Sequence, residues 1–267
     1  MRQRQARRFV LALLAAAALP WRAAAQDSDA ELTKKLSNPV SSLTSVPLQF
    51  NYDCCFGPDD GDRTTLNIQP VVPISLGPDW NMIVRTIVPV IHQERTSPEA
   101  DGASGFGDTV QSFFFSPKAQ GDLIWAAGPV FQWPIGRSEL GAERWGAGPT
   151  ALVLRQSNGW TASLLANHIW SYAEHGDAQG PGISQTLVQP GLSWTSPRHT
   201  TLQVNSEATY NWKTRAWTIP VNLQVSQLTA IGRQRVQFTG GVRVYAARED
   251  EGPAWGLRFV TTFLFPR

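Results

Sequence analysis

Trp160-Thr161-Ala162-Ser163-Leu164-Leu165-Ala166-Asn167-His168-Ile169-Trp170 opens and closes on tryptophan. An even separation puts both rings on one face of a strand, because strand side chains alternate. At about 3.3 Å per residue and a tilt near 45°, eight to ten residues climb roughly 19–24 Å. A transmembrane β-barrel carries an apolar band of about 25 Å with an aromatic girdle at each rim. Trp125 with Trp133, and Trp255 with Phe265, repeat the spacing. Trp80, Trp145, Trp194, Trp212 and Trp217 also fall at the ends of short alternating segments. A soluble core would scatter its tryptophans or centre them. The pattern predicts an all-β chain that crosses a membrane as strands, with these rings and Phe265 facing lipid.

Outward from that stretch, twelve strand-like segments are read: 45–52, 63–76, 79–93, 107–117, 122–134, 144–156, 159–172, 183–196, 200–212, 216–228, 235–247 and 253–265. Tight turns at Gly77-Pro78, Ser157-Asn158 and 196–199 alternate with longer loops at 53–62, 94–106, 135–143 and 173–182. Antiparallel outer-membrane barrels alternate short periplasmic turns with longer outer loops in this way. The exceptions are the short outer connection 213–215 and a somewhat longer inner one at 229–234. An even strand count places both termini in the periplasm.

Parity then sorts the faces. Leu202, Val204, Ala208, Tyr210 and Trp212 point out, against Gln203, Asn205, Glu207, Thr209 and Asn211. Leu223 points out, against Asn222 and Gln224. Arg243, Tyr245 and Arg258 point in, and so does Arg85. The expected lumen-lining set is Arg85, Asn205, Glu207, Asn222, Gln224, Arg243 and Arg258, which predicts a wet or hydrogen-bonded interior rather than an apolar one. Charges are costly in lipid, so the lumen is their cheapest location. Arg85, Glu207, Arg243 and Arg258 are expected to meet there, either lining a constriction or closing the barrel as a salt-bridged plug.

The start of the chain reads as a secretory signal. Arg2, Arg4, Arg7 and Arg8 precede an apolar run from Phe9 to Leu19 that is too short to span a bilayer. Ala23-Ala24-Ala25 offers a cleavage site before Gln26. The chain has 23 Lys plus Arg and 21 Asp plus Glu. Residues 1–25 hold five Arg and no acid, so the rest carries 18 basic against 21 acidic residues, a net of −3. The basic pI therefore belongs to the leader, and nucleic acid is not an implied partner. No later run is long and apolar enough for a membrane helix. An exported chain without one can still span a membrane as a closed barrel, which predicts the outer membrane of a Gram-negative-type bacterium. Residues 26–44 form a periplasmic segment before the barrel of 45–267. Ser28-Asp29-Ala30-Glu31 has capping-box spacing and Asn38-Pro39 is a stop signal, so a short helix is expected over 29–36, across the barrel mouth or as a leader without a role.

Prolines argue against unbroken strands. Pro70, Pro73, Pro89, Pro129, Pro149, Pro190 and Pro220 fall inside predicted segments, and proline removes a ladder donor. Pro89, Pro129, Pro149 and Pro220 are expected to mark bulges in the outer half of the wall.

Catalytic chemistry is poorly supported. A lipase-like site needs Ser, His and an orienting amide or acid within reach. His92 and His168 take outward parity near the outer rim, while His175 and His199 sit in connections. No dinucleotide or phosphate-loop fingerprint is present. The adjacent Cys54 and Cys55 read as loop thiols or a local disulfide, without the partners a metal site needs. No enzyme activity, cofactor or metal is expected.

Several blocks together are similar to one bacterial family: Asn67-Ile68-Gln69-Pro70-Val71-Val72-Pro73, Trp80-Asn81, Gly107-Asp108-Thr109, Trp145-Gly146-Ala147-Gly148-Pro149-Thr150, Ala166-Asn167-His168-Ile169-Trp170-Ser171, Trp255-Gly256-Leu257-Arg258-Phe259 and Phe263-Leu264-Phe265-Pro266-Arg267. The chain resembles the outer-membrane "transporter" proteins associated with the meta-pathway of phenol degradation, also labelled bacterial neuromedin U. Cys54-Cys55 departs from that pattern. The resemblance implies a porin-like barrel for uptake of small hydrophobic or aromatic solutes, with outer-membrane lipid and the barrel-assembly machinery as partners. The alternatives are a structural or adhesive barrel with a plugged lumen and, further off, an outer-membrane enzyme.

Overall fold

The structure is a computed structural model that describes residues 28–96, 102–176, 178, 182–249 and 251–266. The expected leader, residues 1–25, lies outside the described residues.

Twelve spans form one antiparallel ring. They are β1 Thr44–Phe56, β2 in two pieces (Gly61–Ile68 and Val71–Ser75), β3 Trp80–Glu94, β4 in two pieces (Ala103–Phe106 and Thr109–Pro117), β5 Leu123–Trp133, β6 Arg144–Ser157, β7 Trp160–Glu174 and β8 Ser184–Thr195. The ring continues with β9 in two pieces (Thr200–Ser206 and Ala208–Asn211), β10 Ala216–Ile231, β11 Gln234–Ala247 and β12 Trp255–Phe265. Each span pairs with the next, and β12 returns to β1 from Thr44↔Phe265 to Cys54↔Trp255. Closure leaves no free edge, which the hydrocarbon interior demands.

The turns carry the chemistry that hairpins need. Ser157 pairs with Trp160. Asn158 and Gly159 between them have φ of 50° and 80°, the left-handed pair of a type I′ turn. Gly232-Arg233 makes a second two-residue turn below the Ile231↔Gln234 pair, tighter than the connection expected over 229–234. The first hairpin is also tighter than expected. β1 runs on through Cys54 and Cys55, which form a vicinal disulfide, to Phe56, with a register shift between Cys54 and Phe56. The expected loop at 53–62 thus shrinks to 57–60. Part of the expected 94–106 loop is strand as well, because Ala103–Phe106 extends the hairpin against β3.

The prolines interrupt pairing locally without opening the ring. Pro220 sits at a one-residue register shift between β10 and β11. Pro129 and Pro149 face each other across an unbroken β5–β6 ladder. The ladder lapses on the far side of each: β4–β5 lacks pairs between Ser112↔Val130 and Phe115↔Ala127, and β6–β7 between Ala147↔Trp170 and Thr150↔Asn167. A residue without N–H cannot continue pairing there. The neighbouring backbones crowd in at those points. A Cβ on Gly128 would strike the Phe113 carbonyl oxygen, and one on Gly148 that of His168. β2 breaks at Gln69-Pro70, and β9 breaks at Glu207 without a register shift, flanked by Pro190 on β8 and Pro220 on β10.

Outward-facing side chains are large and apolar. Leu202, Val204, Leu223, Val225, Val242, Val244 and Phe259 are all exposed. Val204, Leu223 and Val242 lie in register across β9, β10 and β11. This face meets the lipid of an outer membrane, and the end bearing the shortest turns, where β1 starts and β12 stops, is the periplasmic one.

Asp29–Leu36 is the helix α1, capped by Ser28, whose hydroxyl accepts from the Glu31 N–H at 3.3 Å. Asp29 and Glu31 in the first turn and Lys34 and Lys35 in the last suit the helix dipole. So short a helix is marginal alone. It is held by Leu32, fully buried against Leu43, Leu228 and Leu264 at the periplasmic end of the lumen. Asp29 pairs with Arg235 of β11 at 3.1 Å, and the Lys34 carbonyl accepts from Gln156 of β6 at 3.0 Å. Those anchors stand on nearly opposite sides of the ring, so α1 lies across the mouth.

Leu223→Arg places a charge in the middle of the lipid-facing row. It is expected to cost about 2–4 kcal/mol, read as urea-dependent folding into phospholipid vesicles. Wild-type stability for the variant would contradict the outward assignment.

Candidate functional site

The interior is divided lengthwise by chemistry. On one side, Ile83 of β3, Phe114 of β4, Ala126 of β5, Leu152 and Leu154 of β6 and Leu165 of β7 form a buried apolar cluster, met by Val40 from the segment after α1. Val130 and Ile169 extend it toward the outer end. This corrects the expectation of an interior lined only by amides and charges. On β6 the outward Ala151 and Val153 are as apolar as the inward Leu152 and Leu154, so parity offers no contrast to read.

The opposite side is polar and ion-paired. Glu207 sits at the break in β9, where no ladder partner constrains it. Its carboxylate accepts two parallel hydrogen bonds from the Arg258 guanidinium of β12, both at 2.8 Å. Arg258 also donates from Nε to Asn51 at 2.8 Å. Arg243 of β11 lies 3.6 Å from Glu207 and 3.4 Å from Asp53 of β1. Tyr245 donates to Asp53 at 2.8 Å, and the Arg243 guanidinium stacks 5.5 Å from the Tyr245 ring. The cluster joins β9 to β12 and β11 and, through Arg243, to β1; β9 pairs with none of these, so the cluster crosses the lumen. Bidentate guanidinium–carboxylate pairs are the strongest and most directional of protein ion pairs.

Of the four charges expected to meet, Glu207, Arg243 and Arg258 do. Arg85 does not join their contacts and donates to Gln69 at 3.1 Å. Asn205 is buried and accepts from Gln224 at 3.3 Å. Asn222 is fully buried, with no protein partner for either side-chain amide atom. Asp53 and Asn51 were missed. The sequence expectation of a loop over 53–62 includes Asp53, although its alternation with Tyr52 and Cys54 continues β1.

Below this cluster and above α1 lies a cavity of about 250 Å³. Arg85, Gln69 and Asn205 line it on the polar side, and Val71, Leu152 and Leu165 on the apolar side.

The aromatic residues fall in two rows on the outer face. Trp80, Trp125, Trp160 and Trp194 are exposed toward the periplasmic end; Trp80 and Trp125 have centroids 6.1 Å apart, and Trp160 pairs with Trp194 in register. Trp133, Trp145, Trp170, Trp212, Trp217 and Trp255 lie toward the outer end, with Trp133 and Trp145 5.6 Å apart. Phe265 pairs with Thr44 at the periplasmic end.

The outer-face histidines have hydroxyl partners. His92 contacts Ser104 at 2.6 Å and Glu94 at 3.5 Å; His168 contacts Thr186 at 2.7 Å and Ser184 at 3.5 Å. Among the described residues no group of three or more His, Cys, Asp and Glu is placed to hold a metal. In the outer loop, Arg137 pairs with Glu139 at 3.1 Å and holds its carboxyl below the usual carboxylate range.

A closed twelve-stranded ring with a lipid-facing apolar surface and a short helix in its mouth defines an outer-membrane β-barrel. Residues 64–267 match the family described as putative MetA-pathway of phenol degradation, and the chain belongs to it. In fold it is similar to an outer membrane channel from Pseudomonas putida F1, at 14% identity and a TM-score of 0.65, covering 84% of this chain and 96% of that one. It also matches outer membrane phospholipase A from Escherichia coli at 10% identity and a TM-score of 0.48, covering 83% and 90%, a likeness too low to carry an argument. No curated protein matches the sequence.

Removing one member of the cross-lumen cluster strands buried partners. Glu207→Ala is expected to destabilise the barrel by about 3 kcal/mol, read by urea unfolding in vesicles. Glu139→Ala, at an exposed ion pair, should leave the curve in place. Coincident curves for Glu207→Ala and wild type would remove the cluster from the stability of the fold.

Proposed function

We propose that this barrel is an uptake channel for small hydrophobic or aromatic molecules and not an enzyme. The observation that carries the reading is the apolar cluster inside the barrel, from Leu154 and Ile83 up to Val130 and Ile169, packed closed at rest and reached from the cavity above α1 through Leu152 and Leu165. A barrel that passed only hydrophilic solutes would have no use for such a strip beside its polar wall. An apolar solute gains by moving along it out of water.

Arg85, Asn205, Glu207, Asn222, Gln224, Arg243 and Arg258 line the lumen in this reading. Their ion pairs keep the resting passage narrow, so that ions do not leak while a small solute passes along the apolar side. The two rows of tryptophans, together with Phe265, form the membrane girdles. The pairing lapses beside Pro129 and Pro149 are closed by crowded backbone at rest, and parting there is the route by which an apolar solute leaves sideways into hydrocarbon. Assembly in the membrane would use the barrel-assembly machinery.

The cross-lumen ion pairs and α1 favour a second reading, a structural barrel with a filled interior. For catalysis, the His92–Ser104–Glu94 contacts are the nearest approach. They sit on the exposed rim, where hydrogen bonding between polar neighbours is sufficient explanation.

Uptake by a deletion strain of a phenolic, a fatty and a sugar compound separates these readings. The uptake reading expects phenolic entry to fall severalfold with sugar entry unchanged, and to return with the wild-type gene. A strain carrying Pro129→Val and Pro149→Val should regain less if exit is lateral, and full recovery would remove the lateral route. Unchanged phenolic entry after deletion would leave the structural reading standing.

A further inference from the structure

We infer that the cavity beside Arg85 is a binding site for a small amphiphilic carboxylate, a single aromatic ring or short alkyl chain bearing one anionic head. The inference rests on the uptake reading and names the solute class for it.

Its basis is a guanidinium with no carboxylate in contact: the charge of Glu207 reaches Arg85 only through space, beyond ion-pair distance. Four guanidiniums, of Arg63, Arg85, Arg243 and Arg258, stand near or within the lumen-crossing region against the carboxylates of Asp53 and Glu207. Glu207 is committed to Arg258 by both oxygens and to Arg243 by one. Asp53 is committed to Arg243 and Tyr245. Among the described residues, none of the ion pairs within 4.0 Å includes Arg85. Its hydrogen-bond partner is the neutral Gln69, through one terminal nitrogen at 3.1 Å. A guanidinium has five N–H donors in a planar fork matched to a carboxylate. Arg85 therefore keeps donors for a ligand on the wall of the cavity it lines.

An apolar wall stands beside that fork. Arg85 is two residues above Ile83 on the inward face of β3, and Ile83 belongs to the apolar cluster. Leu152 and Leu165 of the same cluster line the cavity with Arg85. One molecule can thus lay a ring or chain against the leucines and present an anion to Arg85. A neutral phenol would leave the guanidinium without a carboxylate in contact. Inorganic phosphate would leave the apolar wall unused. At about 250 Å³ the cavity is below the usual range of ligand pockets, about 300–1,000 Å³, which selects a single ring over a long acyl chain.

The test is calorimetric titration of the full barrel in detergent micelles with benzoate, benzyl alcohol and inorganic phosphate. Benzoate is expected to bind at least about tenfold tighter than benzyl alcohol, the usual size of a charge-assisted hydrogen bond, and tighter than phosphate. Arg85→Gln should erase the preference for benzoate over the alcohol, and Arg85→Lys should keep part of it; heat-modifiable gel mobility confirms that each variant is a folded barrel. Equal binding of benzoate and benzyl alcohol to the wild type overturns the inference without any variant. So does equal binding of benzoate and phosphate, which reduces the site to an adventitious anion. A preference for benzoate that survives Arg85→Gln in a folded barrel overturns the assignment to Arg85. Binding in micelles involves no transport, so this outcome is independent of the deletion-strain result.

Discussion

Backbone N–H and C=O groups in hydrocarbon have no water to bond, and each unpaired group there costs several kcal/mol. That constraint shapes this molecule more than any side-chain contact. It requires β1 to meet β12 along the full run from Thr44↔Phe265 to Cys54↔Trp255. It also explains how so many prolines are tolerated. Pro129 and Pro149 turn their missing donors away from the ladder they share, so the β5–β6 seam stays intact while each outer seam loses only a short stretch. At Glu207 the break in β9 is flanked by Pro190 and Pro220, and the freed segment is the one that sends a carboxylate across the lumen.

With the wall closed, the interior is free to hold two chemistries. Ion pairs join β9 to β11 and β12, and β11 to β1, while β3 to β7 present leucine, isoleucine and phenylalanine inward. The apolar half is a packed core of buried side chains. The polar half ties distant strands together through directional bonds. The apolar half is covered toward the periplasm by Val40 and bounded by the helix that Leu32 seats in the mouth. A solute moving along the apolar half would therefore pass beside the ion pairs without breaking them, and would meet the N-terminal segment before reaching the periplasm.

The fold was legible because its signal is periodic. Trp160 and Trp170 share a face in the structure, as their even spacing requires, and both are exposed. The Ser28 cap and the helix over 29–36 followed from local hydrogen-bonding chemistry alone. What parity could not read was any strand apolar on both faces. Leu152 and Leu165 stand among alanines, leucines and valines, and nothing in their neighbours distinguishes lumen from lipid. Strand ends were the other weak point. The Gly- and Asp-rich stretch 53–62 reads as a loop that includes Asp53, yet β1 continues to Phe56. The meeting of Glu207 with Arg258 needed no such detail, since inward parity and the cost of charge in lipid left them little choice. Arg85 shares that parity, but its hydrogen bond goes to Gln69 on the adjacent strand and no carboxylate touches it.

The central claim, that the apolar inner wall is the solute path, is tested most directly by phenol flux into liposomes holding the wild-type barrel or one carrying Leu152→Asn and Leu165→Asn. Potassium conductance is recorded on the same preparations. The account predicts that phenol flux falls severalfold in the folded variant while ion conductance holds or rises. Equal phenol flux through both barrels would contradict it.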